Sequence, residues 1–510
     1  MQASEQLPII EIHPPKKYRW KRWKILFGCF EGTEKVALIE LQRQLQSYLP
    51  YVLPVIQIET QSDTDADDDN LILVGTPENN LMINEWNKTA KVPVPQEQES
   101  YAIACLPADQ KNKRNTIILA GRDAVGVLYA VTDFCAQFLG RDVVRDDPSE
   151  DAGLLEKIDK QQYCEKPSIT DRGIWTWGYV IYDYKDFLDN MVRLRMNMLT
   201  IWNDLPPLNI EDVINYAHER GIRIILGFHW GWGLEFDLDN DHHIQMVKEQ
   251  VIDNYQTNYA HLNHDGIYFQ TITETDKSTV NGVSRAKLVC SFVNRVGGAL
   301  LEKHPELAIQ FGVHATSILK DYADFSTLDK RISIIWEDAG VTPYSYTITD
   351  SVTQRDYENN DAWKNEVGSP DKMVAYSLKL AHLREGCGFG MVPKGFSKLR
   401  WTTEFEHHGP FILGERSKTF IERRLLERRP AWSQANALWL KYYKQAVQLY
   451  RAIIQSGQKQ ITATALIEDG MFEAEIPYCV ALFAQILWNP FANEEEITSK
   501  SMSAYYGGQL

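Results

Sequence analysis

The sequence predicts a mixed α/β fold in which a small α/β domain precedes a TIM-type (β/α)8 barrel. Over most of the chain, β-branched apolar runs alternate with helix-like stretches, which indicates a parallel sheet. Several of these runs end in Trp, His, Asn, Asp or Glu. Polar groups collected at strand ends are typical of a TIM barrel, whose chemistry lies at the C-terminal face of its strands.

The bulk composition limits the classes of protein to consider. A chain of 510 residues is expected to hold two or three domains, and 44% hydrophobic with 24% charged residues is typical of a soluble globular protein. The formal net charge of −16 argues against a nucleic-acid partner, and no apolar run approaches the length of a membrane span. The seven cysteines are scattered without a CxxC pair, so we expect reduced thiols.

The N-terminus has no apolar stretch of the kind found in signal peptides, because charges and prolines interrupt it. We therefore expect either a cytoplasmic protein or an exported one whose leader has been removed.

The first domain is predicted to span residues 1–165. Strand-like runs cover residues 24–27, 71–74, 101–105 and 116–120, and helices are expected at residues 33–47 and 125–138. The polar, weakly patterned stretch 146–166 precedes Pro167, and we place the boundary there.

The barrel is predicted to occupy residues 166–510, with late helices around residues 421–456. The eight expected strands are residues 172–177, 198–204, 222–231, 266–274, 308–314, 332–338, a run between 388 and 401, and 461–468. The helices expected between them are residues 186–195, 210–220, 244–259, 284–303 and 372–385.

The motifs that the sequence lacks narrow the reaction class. It has no GxSxG elbow, P-loop, HExxH helix or GxGxxG turn after its first strand. What remains is a barrel rim with many carboxylates and aromatic rings. Glycoside hydrolysis uses one carboxylic acid to protonate the leaving oxygen and a second carboxylate as base or nucleophile.

Three glutamates are the catalytic candidates. Glu274 ends the fourth expected strand and is the leading general acid, because burial there would raise its pKa. Glu337 and Glu404 are equal candidates for the second carboxylate. Adjacent side chains on a strand point to opposite sides, so only one of Glu337 and Asp338 should face the barrel mouth.

Further residues at strand ends are candidates for binding a sugar. Aromatic rings can stack on a sugar face, and amide, imidazole and carboxylate groups can bind its hydroxyls. The candidates are Trp177, Trp202, Asn203, Asp204, His229, Trp230, Gln270, His314, Trp336, Asp338, Trp401 and Glu406. His229, His314, His407 and His408 lack the spacing of a helical zinc motif, so neither a metal site nor a cofactor is predicted.

The first domain also resembles a known one. The segments LVGTPENN (residues 73–80) and ILAGRDAVGVLYA (residues 118–130) are similar to the non-catalytic α/β domain that precedes the barrel in family 20 hexosaminidases and family 67 α-glucuronidases. The resemblance covers about the first 140 residues. It implies that an exo-type glycoside hydrolase barrel follows.

Both families carry a glutamic acid after strand four, which Glu274 matches. Family 20 enzymes place an Asp beside it for attack by the substrate's acetamido group, whereas this chain has Thr273 there. The glucuronidases use later carboxylates as the inverting base and need cationic partners for the substrate carboxylate; Lys394 and Arg400 are available for that role.

The predicted function is therefore a glycoside hydrolase that removes a terminal sugar, a uronic acid or an N-acetylhexosamine, from an oligosaccharide. Two alternatives remain open. One is a non-catalytic carbohydrate-binding protein on a degenerate barrel, and the other is a metal-dependent barrel lyase or isomerase.

Overall fold

The structure is a computed structural model in which one six-stranded sheet precedes a closed eight-stranded barrel. A two-stranded hairpin, Thr279–Val280 with Val283–Ser284, is the other sheet in the part described. The description covers residues 21–58, 69–109, 113–139, 155–203, 205–231, 237–270, 273, 277–314, 320–337, 366–396, 410–414, 416–467 and 471–507.

The first sheet is mixed, with strand order β2-β1-β3-β5-β4-β6. Strand β4 pairs antiparallel with both β5 and β6, and the other pairs are parallel. Its strands are β1 Trp23–Phe27, β2 Val55–Gln57, β3 Asn70–Gly75, β4 Tyr101–Leu106, β5 Thr116–Gly121 and β6 Gln161–Glu165, and its helices are α1 Gly32–Gln46, α2 Leu81–Thr89 and α3 Ala124–Phe138.

Three of these elements were absent from the sequence prediction: β2, α2 and β6. β2 and β6 are the two edge strands of the sheet, so they need no continuous apolar run. Asn80 caps the N-terminus of helix α2: its side chain accepts hydrogen bonds from the backbone N–H groups of Met82 and Ile83 at 3.1 and 3.3 Å.

The barrel closes with all strands parallel in the order β10-β13-β14-β15-β16-β7-β8-β9, which confirms the predicted fold class. The hairpin strands given above are β11 and β12. The barrel strands are β7 Asp171–Trp177, β8 Met198–Trp202, β9 Arg223–Gly227, β10 Gly266–Gln270, β13 Ile309–Val313, β14 Ile332–Trp336, β15 Phe389–Met391 and β16 Ile461–Leu466.

Helices follow most of these strands. They are α4 Tyr184–Arg193, α5 Ile210–His218, α6 Asp241–Asn258, α7 Arg285–Lys303, α8 Pro370–Ala381, α9 Lys418–Gln455, α10 Tyr478–Trp488 and α11 Glu494–Gly507. Helix α4 shows a typical start: the Asp183 side chain accepts from the backbone N–H groups of Lys185 and Asp186.

Alternation along each strand divides the core into two layers. On β14, Ile334 and Trp336 belong to the large core between strands and helices, whereas Ile335 belongs to a small cluster inside the barrel. Tyr268 and Trp175 lie in that inner cluster as well. This parity places the residue after Trp336 on the inner side.

Candidate active site

The C-terminal ends of the barrel strands bring one carboxylate together with three hydrogen-bond donors. Glu337 follows β14 directly and is 3% exposed. Its Oε1 accepts from the Tyr268 hydroxyl at 2.5 Å and from Gln270 Nε2 at 2.5 Å. Its Oε2 lies 2.6 Å from Gln270 Nε2 and 2.9 Å from His314 Nε2. The structure therefore brings together the predicted residues Glu337, Gln270 and His314.

The surroundings of Glu337 hold it in the ionised form. Burial by itself would raise the pKa of Glu337. The charge and hydrogen bond of His314, the charge of Lys394 and the hydrogen bond from Tyr268 outweigh that effect, so the pKa lies below its usual range. A buried carboxylate that stays charged is suited to act as a base or a nucleophile, but not as the acid.

A glycine makes room for this carboxylate. Gly312, on β13, faces the barrel interior between Glu337 and Tyr268. A Cβ atom at Gly312 would overlap with Glu337 Oε1 and with the Tyr268 hydroxyl. The missing side chain thus allows the two groups to meet.

Thr273 links the loop after β10 to His314. The Thr273 side chain is fully buried, and its Oγ1 accepts a hydrogen bond from the backbone N–H of His314 at 3.1 Å. Glu274 is the next residue in the sequence. The hydroxyl group beside Glu274 in the sequence therefore has a structural contact of its own.

An aromatic wall, formed by the rings of Trp175, Trp177 and Trp202, lies beside Glu337. The ring of Trp175 lies edge-on to Trp177 at 4.7 Å, stacks on Trp202 at 5.9 Å and meets Tyr268 edge-on at 5.7 Å between centroids. Trp175 is buried, whereas Trp177 and Trp202 are half-buried. Tyr268 thus connects the wall to Glu337, and the half-buried rings of Trp177 and Trp202 have exposed surface for stacking.

Two predicted ligands lie elsewhere, which corrects the sequence prediction. Trp230 and Trp336 are completely buried in the layer between strands and helices. The Trp230 ring stacks on Phe269 at 3.6 Å, and Trp336 packs against Tyr376 at 5.1 Å. Both side chains point outward from the barrel, so they stabilise the core and do not line its mouth.

Asn203 has a structural contact too. It is buried, and its Oδ1 accepts from the backbone N–H of Gly178 at 3.0 Å, which ties the loop after β8 to the loop after β7. His229 is half-buried just beyond β9, and its role as a sugar ligand stays a prediction.

Several predicted residues lie outside the described part of the chain. They are Glu274, Glu404, Asp204, Asp338, Trp401 and Glu406. Within the described ranges, no group of three or more His, Cys, Asp or Glu side chains is arranged to hold a metal ion. None of the helices in those ranges has the length and apolar character needed to cross a membrane.

The sequence prediction missed Tyr268, Gly312 and Glu473. Tyr268 carried a usable signal, since it lies two residues before Gln270 and must share its face of the strand. Glu473 had no such signal, because its burial depends on the loop after β16. Its side chain is 5% exposed, and burial raises its pKa to about 8.

A sequence-family model matches only the first part of the chain. The model described as the S-layer like family, outer domain, matches residues 29–138, which lie within the part that forms the first sheet. None of the curated protein sequences matches this chain.

Solved structures match over nearly the whole chain. The GH138 enzyme targeting pectin rhamnogalacturonan II is similar over 95% of this chain at 14% identity with a TM-score of 0.50, and the match covers 53% of that enzyme, about half of its length. CpGH84D and CpGH84B have TM-scores of 0.39 and 0.42 at 12% identity. Those matches cover 99% and 95% of this chain and 93% and 91% of theirs. These neighbours are glycoside hydrolases with a TIM-barrel fold, and at such identities the likeness concerns the fold alone.

Proposed function

We propose that this protein is a glycoside hydrolase that removes a terminal sugar from an oligosaccharide by carboxylate catalysis. The observation that carries the proposal is the buried Glu337 at the C-terminal end of β14, bound by Tyr268, Gln270 and His314 beside an aromatic wall. One charged carboxylate next to exposed ring surface is half of the set that glycoside hydrolysis requires.

Glycoside hydrolysis also requires a general acid, and in this proposal Glu274 has that role. Its support is sequence position: it directly follows Thr273, whose hydroxyl contacts the backbone of His314. His314 in turn contacts Glu337, and Gln270, four residues before Glu274 in the sequence, donates a hydrogen bond to Glu337. Glu404 remains the alternative partner, and the domain division at residue 165 remains a proposal as well.

Of the two predicted sugars, a uronic acid has the better support. A substrate carboxylate beside Glu337 needs positive charge, and Lys394 is close enough to lower the pKa of Glu337. An N-acetylhexosamine that reacts through its acetamido group needs a second acid next to Glu274. Thr273 occupies that position and is buried in a contact with His314.

A panel of aryl glycosides tests the proposal. The wild-type protein should hydrolyse at least one glycoside among glucuronides, galacturonides and N-acetylglucosaminides of both anomers. Glu274→Gln should lower kcat by about 100-fold or more on an unactivated disaccharide and much less on a 4-nitrophenyl glycoside, because a good leaving group needs little protonation.

The matched control is Glu85→Gln, an exposed glutamate on α2 that pairs with Lys88; its kcat should equal that of the wild type. Binding of oligosaccharides without hydrolysis would instead identify a carbohydrate-binding protein. Activity abolished by a chelator and restored by a divalent metal would identify the lyase or isomerase alternative.

A further inference from the structure

Hydrogen-bond donors occupy the lone-pair positions of both carboxylate oxygens of Glu337. A carboxylate offers about four lone-pair sites, two on each oxygen. Oε1 accepts hydrogen bonds from Tyr268 and Gln270, and Oε2 accepts hydrogen bonds from Gln270 and His314. Gln270 Nε2 bridges both oxygens at 2.5 and 2.6 Å, and this side chain is half-buried, whereas Tyr268 and His314 are buried. Gln270 is therefore the donor that can move most easily.

This arrangement distinguishes the two roles that remain for Glu337. A general base in an inverting enzyme must take up a whole proton from water, and each donor aimed at the carboxylate opposes that protonation. A nucleophile keeps its charge until a bond to carbon forms, and only one oxygen then changes. The other oxygen keeps its donors. The low pKa of Glu337 agrees with the second role, because a general base works best with a pKa near the operating pH.

The two oxygens also differ in their surroundings. Oε1 lies against the backbone of Gly312 and beside the Tyr268 hydroxyl, where even an added methyl group would overlap with it. Oε2 faces Gln270 and His314, and Gln270 can transfer its hydrogen bond fully to Oε1. Oε2 is therefore the oxygen with room to react.

We infer that Glu337 is the nucleophile of a double displacement that retains the anomeric configuration, and that Oε2 forms the bond to the anomeric carbon. This inference rests on the proposed function. It differs from both mechanisms that the resemblance of the first domain implies, which are attack by a substrate acetamido group and an inverting base.

The two steps balance without any further reactant. First, a lone pair of Oε2 forms the bond to the anomeric carbon while the bond to the leaving oxygen breaks, and that oxygen takes the proton of the acid, Glu274 in our proposal. Next, a water molecule forms a bond to the anomeric carbon while the bond to Oε2 breaks and its electron pair returns to Glu337. The water gives one proton to the former acid, which is now a carboxylate and acts as the base.

Two measurements on the 510-residue chain test the inference, with the best aryl glycoside from the panel as substrate. Proton NMR in the first minutes should show a product with the anomeric configuration of the substrate. The matching 2-deoxy-2-fluoro glycosyl fluoride should add the mass of one fluorosugar to the protein, on the peptide that contains Glu337. Glu85→Gln should be labelled equally, and Glu337→Gln should take up no label while it keeps the wild-type melting temperature.

Glu337→Asp is the second variant, because it keeps the charge but moves Oε2 away from the substrate. It should be labelled at least about 100-fold more slowly than the wild type, since a displaced group loses much of its reactivity. An inverted product would overturn the inference and leave the proposed function standing. Retention with a label on another residue, or with no label, would overturn it too. Failure of the wild type to hydrolyse any glycoside would remove the proposed function and this inference together.

Discussion

At the scale of single residues, the charge on Glu337 depends on a few side chains from neighbouring strands. Burial opposes ionisation, and His314, Lys394 and Tyr268 overcome that opposition. The Tyr268 hydroxyl donates to Oε1 at 2.5 Å. Because a hydrogen bond to a charged group is worth about 1.5–3 kcal/mol, losing one shifts a pKa by roughly one unit or more.

Tyr268→Phe tests this dependence on pH. The wild-type Glu337 has a lowered pKa, so the ionised form and its activity should persist to a pH below the usual range of a glutamate. Without the Tyr268 hydroxyl the pKa of Glu337 should rise. The acidic limb of the pH profile of kcat/KM should therefore move to higher pH by about one unit. Tyr216→Phe is the control, since its hydroxyl contacts Asp189 on α4. If the acidic limb of the Tyr268→Phe profile coincided with that of the wild type, Tyr268 would not determine the pKa of Glu337.

At the scale of elements, the loop after β16 is bound to the segment before α4 and to α4 itself. Glu473 Oε1 accepts from the backbone N–H of Tyr182 at 2.5 Å, and Asn190 Nδ2 donates to the carbonyl oxygen of Phe472 at 2.6 Å. β16 and β7 are neighbours in the barrel, so these contacts fix the loops that follow them. The carboxyl of Glu473 is buried, and Asp183 nearby adds to the rise in its pKa.

Glu473→Gln should change how stability depends on pH. The folded pKa is about 8 and the ordinary value is 4.5, so the folded state keeps a proton that the unfolded state releases between these two pH values. The wild type should therefore lose stability as pH rises through this window, by several kcal/mol as an order of magnitude. The melting temperature of the variant, relative to the wild type, should rise from pH 5 to pH 8; a constant difference would mean that Glu473 is already ionised when folded.

The elements themselves were largely predictable from local pattern. All eight barrel strands overlap the predicted runs, although β15 has the sequence FGM and contains no β-branched residue. Glu337 faces the barrel interior, in line with the expectation that only one of two adjacent acids on a strand does so. The same alternation, applied to Trp336, would have placed that ring outside the barrel. Trp230 could not be assigned in this way, because it lies three residues beyond the end of β9.

The site was less predictable, because its contacts join distant parts of the chain. Glu337 meets Tyr268 and Gln270 across more than sixty positions of sequence, and nothing local to Gly312 indicates that a carboxylate lies above it. The edge strand β6 was missed for a related reason. Its sequence QQYCE is half polar, and it forms a strand because β4 offers an unpaired edge.

At the scale of the whole molecule, the two parts are joined by a polar network of buried and half-buried side chains. Glu99 forms an ion pair with Arg172 and accepts from Asn197 Nδ2 at 2.7 Å. Arg195 donates to the Tyr101 hydroxyl at 3.0 Å, and its guanidinium lies 4.6 Å from the ring centre of Trp488. These contacts join the first sheet to the barrel and to α10.

Two residues of this network have strained backbones. Glu99 and Arg195 have φ angles of 63° and 56°, in the left-handed region that favours glycine. Such a conformation costs a non-glycine residue about 1–2 kcal/mol, so it persists only where surrounding contacts hold it. One strained residue lies on each side of the interface, so contacts between the two parts help to hold both conformations, and we expect the two parts to unfold together.

Arg195→Ala should weaken the whole molecule. Breaking a fully buried ion pair costs about 3–5 kcal/mol; Arg195 is half-buried, so we expect a loss toward the low end of that range and a melting temperature lower by several degrees. Calorimetry should show a single transition for the wild type. Arg295→Ala is the control, because its ion pair with Asp241 is exposed, and it should leave the melting temperature unchanged. Two separate transitions in the wild type would show that the sheet and the barrel unfold independently.

The role of Glu337 is tested by kcat/KM of Glu337→Gln on a 4-nitrophenyl glycoside that the wild type hydrolyses. The variant should lose about 1,000-fold or more of this activity, even though the leaving group needs little protonation, and it should keep the wild-type melting temperature. Glu85→Gln should show no loss. A folded Glu337→Gln protein that retains activity within about tenfold of the wild type would contradict the central role of Glu337.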